Sequence, residues 1–296
     1  MNDPLVSVVT PSYNQADFIT DNLESIKRQT HPNVEHLVID GESTDGTVDI
    51  LRRYEDKYDL VWRSEPDEGQ SDAINKGFEL AEGEIVGWLN SDDVYFDTGV
   101  LKRVCDHFAR TDADIIYGDL AYIDGDSYVT EVDVRPDFDV SKLPYRILIG
   151  QPATFFRREV VQDNRLDTTL NFGMDYDFWI RLSRHFEIRH VRDILAGFRV
   201  HELQKTEDEA ATAEEVEEML KRHYDSTDFE RGLSMLADNA WTEADRAFAA
   251  LVATYKLHRD PPILAFNGEF ASFSEMLTNL GPSVRDIQKV LRRSWR

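Results

Sequence analysis

The first half of the chain alternates between short apolar runs and amphipathic segments. Apolar runs rich in β-branched residues, typical of buried strands, lie at 5–10, 34–39, 60–63 and 85–89. The segments between them carry apolar residues at helical spacing, as Ile74, Phe78 and Ala81 do within 68–82. This order predicts an α/β fold with a doubly wound, mostly parallel, Rossmann-like sheet.

The pattern changes after residue 112. A hairpin is predicted at 115–122 and 128–134, turning at Asp124-Gly125, and is followed by further strands and one helix. These further elements are strands at 151–156, 188–191 and 196–200 and a helix at 175–186. From about residue 206 the chain is acidic, with helix candidates at 214–224, 229–237, 242–255 and 272–280. We therefore predict a catalytic domain at 1–205 and an added helical region at 206–296.

Charge limits the classes of partner. The 296 residues include 33 basic and 57 acidic side chains, a net charge of −24, and only nine lysines. This balance argues against nucleic-acid binding, which needs a basic surface. It is typical of proteins from high-salt cytoplasms such as those of haloarchaea, although an ordinary acidic protein is the alternative. Since Cys105 is the one cysteine and no apolar run nears the ~20 residues of a membrane helix, we expect a cytoplasmic location.

Four polar residues follow the apolar run at 85–89. Asn90, Ser91, Asp92 and Asp93 would lie at the carboxyl end of a strand, where open α/β sheets bind ligands. Two adjacent carboxylates repel by about 4 kcal/mol at ~4 Å and an effective dielectric constant of about 20. A divalent cation, Mg²⁺ or Mn²⁺, would relieve that repulsion. The alternative is a turn that precedes the helix after Asp97.

The glycine-rich phosphate-binding motifs are absent. Neither a G-x-G-x-x-G fingerprint nor a Walker A loop occurs, so a bound pyrophosphate would need another source of positive charge. A metal held by Asp92 and Asp93 would supply it. Asp40 ends the run at 34–39, where it could accept the imide N–H of uracil or cap the helix that follows.

Four motifs in order resemble family 2 glycosyltransferases over about residues 5–202. They are VSVVTPSYN at 6–14, IDGESTDGT at 39–47, DEGQSDAINKG at 67–77 and WLNSDD at 88–93. The resemblance implies a GT-A fold, a nucleotide-sugar donor, most simply UDP-linked, a divalent metal, and inversion at the anomeric carbon.

The resemblance also assigns donor-side residues. It implies a nucleotide-sugar site formed by Pro11, Tyr13, Asn14, Asp40, Lys76, Asn90, Ser91 and Asp92. Asn90 stands where the family's D-x-D motif begins with aspartate, so we place the metal on Asp92 with Asp93 assisting. His201 occupies a position that approaches the metal or the diphosphate in the family, and a structural histidine is the alternative. Arg199 or Lys205 could add positive charge there.

The general base is implied by the segment Gly173–Asp177. Asp175 corresponds to the family's base and Asp177 could support it, although Met174 replaces an acidic residue. Both aspartates could instead simply favour a helix N-terminus. The segment 151–154 corresponds to the acceptor side.

The acceptor is predicted only by class. The resemblance implies a glycan or lipid-linked saccharide, as on the dolichol-phosphate carriers of surface-glycoprotein N-glycans. A basic amphipathic helix at 283–296 could touch the inner membrane face or pack on the protein's own acidic surface. A polyprenyl-phosphate sugar synthase and a non-catalytic nucleotide-sugar binder are the alternatives.

Overall fold

The computed structural model describes residues 3–144, 147–201, 209–224 and 265–266. Side chains are described throughout the first two ranges and at 215–224, and only the backbone is described at 209–214 and 265–266. The strands are β1 Val6–Ser12, β2 Val34–Asp40, β3 Leu60–Ser64, β4 Ile85–Trp88, β5 Val94–Tyr95, β6 Ile115–Ile123, β7 Tyr128–Asp133, β8 Thr154–Arg157, β9 Ile188–Arg199 and β10 Ala265–Phe266. The helices are α1 Ile19–Lys27, α2 Thr47–Tyr54, α3 Gln70–Leu80, α4 Val100–Arg110, α5 Arg158–Asp163, α6 Met174–Leu182 and α7 Glu209–His223.

The described strands form one mixed sheet in the order β10-β7-β6-β8-β4-β1-β2-β3, with β9 beside β6 and β5 beside β9. The half built from β1 to β4 is parallel, as the β-α alternation predicts. Strand β8 runs antiparallel to both β4 and β6 and joins this half to the β6–β7 hairpin. The predicted α/β fold is therefore confirmed, and the parallel edge places the ends of β1, β2 and β4 side by side.

Two apolar layers sandwich the central strands. Because successive strand residues face opposite sides, Val8 joins the layer that contains α4, and Val9 joins the layer that contains α3 and α6. Helix α3 lies very close to β1, since a Cβ at Gly77 would come within 2.2 Å of Val9 Cγ1. Gly77 therefore lets α3 pack directly on β1.

Some predicted elements differ in extent. The two short strands expected at 188–191 and 196–200 are one strand, β9, whose pairing with β6 is irregular around Asp119. The expected strand at 151–156 begins with a turn of 3₁₀ helix at Gln151–Ala153. The predicted helix at 214–224 is α7, whereas the other helix candidates and the basic segment 283–296 lie outside the described residues. No helix in the described ranges is long and apolar enough to cross a bilayer.

Candidate active site

A cavity of about 820 Å³ opens at the carboxyl ends of β1, β2 and β4. Its wall consists of Pro11, Ser12, Tyr13, Gln15, Gly41, Glu42, Pro66, Asp67, Gly69, Gln70, Ala73, Trp88, Asn90, Ser91, Asp92, Gln151, Asn171, Phe172, Met174, Asp175 and Phe198. Of the residues predicted from sequence, the cavity brings together Pro11, Tyr13, Asn90, Ser91, Asp92 and Asp175. Carboxylates from the β4 end and from α6 therefore face one space.

Asn90 is the centre of a side-chain network. Its Oδ1 accepts hydrogen bonds from the Trp88 indole (2.9 Å) and the Gln70 amide (3.2 Å), and its Nδ2 donates to Gln151 Oε1 (3.0 Å). Gln151 in turn donates to the Trp88 carbonyl oxygen at 2.7 Å. Because the indole only donates and the carbonyl only accepts, the two ends of the network fix both amide orientations. An aspartate at position 90 would lack the donor that Gln151 requires.

Asp92 is the exposed member of the adjacent carboxylate pair. Its side chain is 21% exposed, and its Oδ2 lies 3.2 Å from His201 Nε2, so β4 and the end of β9 bring the two predicted ligands together. The His201 ring also packs against Phe18, with 4.4 Å between ring centroids. His201 itself is not part of the cavity wall.

Asp93 is buried and turned into the protein. It is 1% exposed, its Oδ1 accepts the backbone N–H of Arg199 at 2.9 Å, and its Oδ2 has no hydrogen-bond partner among the described residues. Burial, together with the negative charge of Asp92, raises the pKa of Asp93 well above its usual range. Such a carboxyl group is a weaker candidate ligand for a cation than Asp92.

Arg199 holds these two aspartates in place. Its side chain is fully buried, and its Nε donates to the Asp92 carbonyl oxygen at 2.8 Å. The two Nη atoms donate to the carbonyl oxygens of Asp124 and Gly125, to Asp21 Oδ2 and to Ser127 Oγ. All five guanidinium N–H groups are thus used inside the protein. The sequence-based suggestion that Arg199 could neutralise a leaving diphosphate does not fit this arrangement.

The residues at the β4 end fit a divalent cation in part. Asp92 and His201 offer one carboxylate and one imidazole within 3.2 Å of each other, which are ligand types that Mn²⁺ accepts. Within the described ranges, no group of three or more His, Cys, Asp or Glu side chains is arranged to hold a metal ion. A cation here would therefore need further oxygen ligands from the donor and from water.

Asp175 lies in the first turn of α6, in the cavity wall. Its carboxylate accepts the backbone N–H of Tyr176 at 2.8 Å. Burial raises the pKa of Asp175 to about 6, and this outweighs the opposing effects of backbone hydrogen bonds and of the Arg135 charge. Asp175 is thus a stronger base than an ordinary aspartate and is still mostly ionised at neutral pH. Asp177, by contrast, is buried and bonded to Arg181 and His223.

Three other predicted donor-site residues lie outside the cavity wall. Asn14, whose φ is +52°, ties two loops together by accepting the N–H of Thr44 and donating its own N–H to Ser43 Oγ. The buried carboxylate of Asp40 accepts hydrogen bonds from Ser43 and Ser64. Lys76 forms an ion pair with Asp72 at 3.0 Å. Nucleotide contacts by Asn14, Asp40 and Lys76 therefore stay predictions.

Several wall residues were not assigned from the sequence. Asp67 and Gln70 belong to the third motif, DEGQSDAINKG, which predicts no role for either side chain. A Cβ at Gly41 would come within 2.6 Å of Asp67 Oδ2, so this glycine lets the Asp67 carboxylate approach the β2 end. The sequence predicts Gln151 on the acceptor side without naming a contact. The feature that could have indicated its role is a polar side chain at the start of an apolar strand.

The family model for "Glycosyl transferase family 2" matches residues 7–185 of this chain. The chain belongs to this family. Among curated relatives, the putative teichuronic acid biosynthesis glycosyltransferase TuaG of Bacillus subtilis is 48% identical over 92 residues, which are 30% of this chain and 36% of TuaG. The chain thus spans about a third of that relative's length.

Solved structures agree on the fold. S. aureus TarS (residues 1–349) in complex with UDP-GlcNAc aligns with a TM-score of 0.61 at 23% identity, over 73% of this chain and 64% of TarS. The mannosyltransferase PcManGT of Pyrobaculum calidifontis, in complex with GDP-Man and Mn²⁺, also aligns with a TM-score of 0.61, at 18% identity, over 97% and 83% of the two chains. At these identities the comparison establishes a GT-A type fold.

Proposed function

We propose that this family 2 glycosyltransferase is inverting and metal-dependent, and that it moves a sugar from a UDP-linked donor to a hydroxyl of a glycan or lipid-linked saccharide. The observation that carries the proposal is that Asp92 and Asp175, from separate elements of the fold, line one cavity of about 820 Å³. That volume is within the range of pockets that enclose a small-molecule ligand.

Asp175 is the proposed general base. Its carboxylate takes the proton of the acceptor hydroxyl while that oxygen forms a bond to the anomeric carbon and the bond from that carbon to the donor's diphosphate breaks. A single displacement inverts the configuration at that carbon and needs no covalent glycosyl-enzyme. A pKa of about 6 suits this task, because the group is ionised at neutral pH yet still holds a proton well.

The donor side is assigned to the wall residues at the ends of β1 and β4. Tyr13 is 63% exposed in the cavity wall and offers an aromatic face to a nucleobase. Asp92 with His201 would hold a Mg²⁺ or Mn²⁺ ion. Such an ion, when bound, would offset the negative charge of the departing diphosphate. Fixing donor and acceptor within one cavity would supply much of the rate enhancement through orientation.

The sugar and acceptor are proposed as classes. TarS and PcManGT are crystallised with UDP-GlcNAc and GDP-Man respectively, so a test must include both nucleotides. TuaG is named for teichuronic acid biosynthesis, which is compatible with a glycan acceptor. Contact of the segment 283–296 with the membrane and function in a high-salt cytoplasm belong to the same proposal.

The experiment is a donor screen with the full chain. UDP- and GDP-linked sugars are incubated with a mixture of saccharide acceptors and with Mn²⁺ or EDTA, at low and high KCl concentration, and nucleotide release is measured. We expect release from a UDP-sugar that EDTA abolishes. UDP binding measured by calorimetry without release from any donor would instead indicate a non-catalytic binder.

A further inference from the structure

Helix α7 lies beyond the matched family segment 7–185, yet it packs on the helix that carries Asp175. Met219 is fully buried and Leu220 is 8% exposed, and both belong to the apolar layer that contains α3 and α6. A Cβ at Gly173 would lie 3.3 Å from Val216 Cγ2, so α7 contacts the start of α6 directly. Helix α7 thus lies after the predicted boundary at residue 205 and packs against the apolar layer that contains α3 and α6.

Glu215 on α7 binds the segment that leads into α6. Its carboxylate accepts the backbone N–H groups of Asn171, Phe172 and Gly173 at distances of 2.7 to 3.0 Å. Asn171 and Phe172 are part of the cavity wall, and Asp175 follows within the first turn of α6. One carboxylate therefore holds three consecutive residues next to the proposed base.

These hydrogen bonds fix the turn that leads into α6. The first N–H groups of a helix have no partner within the helix, and the N-cap residue of α6 is Gly173, which has no side chain to accept them. Glu215 bonds the N–H of this N-cap residue and of the two residues before it, whereas Asp175 itself accepts the Tyr176 N–H. The negative charge of Glu215 is also favoured near a helix N-terminus. The start of α6 thus depends on a residue 40 or more positions later in the chain, as in the contact with Phe172.

A second contact fixes the other end of α7. His223 lies with Nε2 2.7 Å from Asp177 Oδ1, and Arg184 donates to His223 Nδ1 at 3.2 Å. Since the guanidinium only donates, Nδ1 accepts, and the Nε2–H group of His223 donates to Asp177. The Asp177 Oδ2 atom accepts from Arg181 at 2.7 Å. Two polar contacts, about two turns apart on α7, thus set the position of α6.

We propose that Glu215 is a positioning residue for Asp175, and that the catalytic unit of this chain extends through α7 to residue 223. By holding residues 171–173, Glu215 keeps the first turn of α6 closed and the Asp175 carboxylate in its partly buried place in the cavity wall. The inference rests on the proposed function where it concerns catalysis, but the contact of α7 with α6 can be tested without activity.

The first test is hydrogen exchange of the full chain. In Glu215→Gln the acceptor charge is lost and the new amide N–H₂ group faces backbone donors, so we expect amides at 171–176 to exchange at least tenfold faster. Glu217→Gln is the matched control, because Glu217 lies on the same helix and is exposed, and its carboxylate pairs with Lys221. Unchanged exchange in Glu215→Gln would overturn the proposal, whatever the activity.

The second test separates positioning from mere stabilisation. The acidic limb of the pH profile for UDP release should follow Asp175, whose surroundings contribute burial, the Tyr176 N–H group and the Arg135 charge. Opening this segment to water should move that limb about one unit to lower pH in Glu215→Gln, with calorimetric UDP–Mn²⁺ affinity unchanged. An equal loss of rate at every pH would indicate a structural role only and would contradict the proposal.

A milder variant guards against misfolding. Glu215→Asp keeps the charge but is one methylene shorter, so it should reach fewer of the three N–H groups. We expect intermediate exchange rates at 171–176 and an intermediate shift of the acidic limb of the pH profile. If the wild-type chain releases no nucleotide, the proposed function fails, while the exchange result still decides whether α7 holds the start of α6. If Glu215→Asp exchanges as fast as Glu215→Gln, reach rather than charge is decisive, which supports the same geometry.

Discussion

The two walls of the cavity are held in different ways. The wall with Asp92 follows β4 directly, and buried strands on both sides, together with the fully used guanidinium of Arg199, fix it in the sheet. The wall with Asp175 lies at the start of α6, a helix whose N-cap residue makes no side-chain hydrogen bond. The residues that lead into this helix are bonded to Glu215 of α7. The first wall is held by strands of the sheet and a residue of β9, and the second by a helix outside the sheet.

This difference predicts where the site tolerates change. A ligand-holding residue at a strand end moves only if the sheet moves, because the strand's backbone hydrogen bonds are cooperative with the core. A base at the start of a helix can shift when one side chain elsewhere is altered. We therefore expect substitutions near Asp92 to alter binding or global stability, and substitutions near Asp175 to alter turnover with little change in donor binding.

The largest expected effect is on turnover in Asp175→Asn. Removal of a general base lowers the rate by roughly 10²- to 10⁴-fold, and the amide keeps a similar shape and can still accept the Tyr176 N–H. The measurement is UDP release from the best donor, with UDP–Mn²⁺ affinity determined in parallel. Turnover within tenfold of wild type would remove Asp175 from the base role, and a parallel loss of UDP affinity would show that the two walls are not independent.

The second effect is on the stability of the β4 wall. Arg199→Met leaves buried acceptors at Asp92, Asp124 and Gly125 without donors, so we expect a loss of about 3–5 kcal/mol in urea unfolding. Arg192→Met is the control, since Arg192 is 75% exposed and its ion-pair distance is 3.6 Å. It should change the unfolding free energy by less than about 0.5 kcal/mol. A similar small change in both variants would refute the supporting role of Arg199.

The third effect is on the pH dependence of folding stability in Asp175→Asn. The pKa of Asp175 is about 6 in the folded protein against 3.8 for an ordinary aspartate, so the folded state resists ionisation. Its stability cost is absent below pH 4, grows as the pH rises, and is complete above pH 6. Asp175→Asn should therefore be more stable by about 3 kcal/mol at pH 8 and equal to wild type at low pH. A gain that is the same at every pH would contradict this cause.

The sequence predicts the residues of the Asp92 wall more fully than those that hold the Asp175 wall, and the reason is physical. The position of a strand-end residue such as Asp92 can be predicted because the apolar run and the polar residue after it are adjacent in the chain. The β-α alternation likewise gave the parallel half of the sheet. The motifs assign the side chains of Asp40 and Lys76 to the nucleotide. The Lys76–Asp72 ion pair is one that helical i,i+4 spacing predicts, whereas the Asp40 partner Ser64 lies on another strand and gives no such signal.

Contacts between distant segments gave no sequence signal. Glu215 looks like any other residue of an acidic helix, and only the folded chain places it 2.7 Å from the Phe172 nitrogen. Arg199 similarly appeared as a free positive charge near the diphosphate, because burial is not visible at a strand end. The base wall was therefore identified by its motif, while the residue that holds it was not.

The fourth prediction compares the neighbouring carboxylates of the β4 wall. Asp92→Ala should weaken Mn²⁺-dependent UDP binding at least tenfold, because it removes the exposed carboxylate beside His201. Asp93→Asn should leave that affinity within about twofold, since Asp93 is buried and its Oδ1 is already bonded to the Arg199 N–H. Calorimetric titration of UDP with and without Mn²⁺ measures both. Equal losses would assign the cation to the pair rather than to Asp92.

The smallest expected effect is that of Asn90→Asp, which restores the family's aspartate but should improve neither stability nor Mn²⁺-dependent UDP binding. In Asn90→Asp a carboxylate oxygen would face Gln151 Oε1, and Gln151 cannot turn without placing the same oxygen against the Trp88 carbonyl. We expect a loss of about 1 kcal/mol in unfolding free energy and no gain in Mn²⁺-dependent UDP affinity. A double-mutant cycle with Gln151→Ala checks the cause, because the penalty should shrink once the facing acceptor is gone. A penalty that persists in the Gln151→Ala background would place its origin elsewhere, and tighter UDP binding in Asn90→Asp would mean that position 90 holds the cation after all.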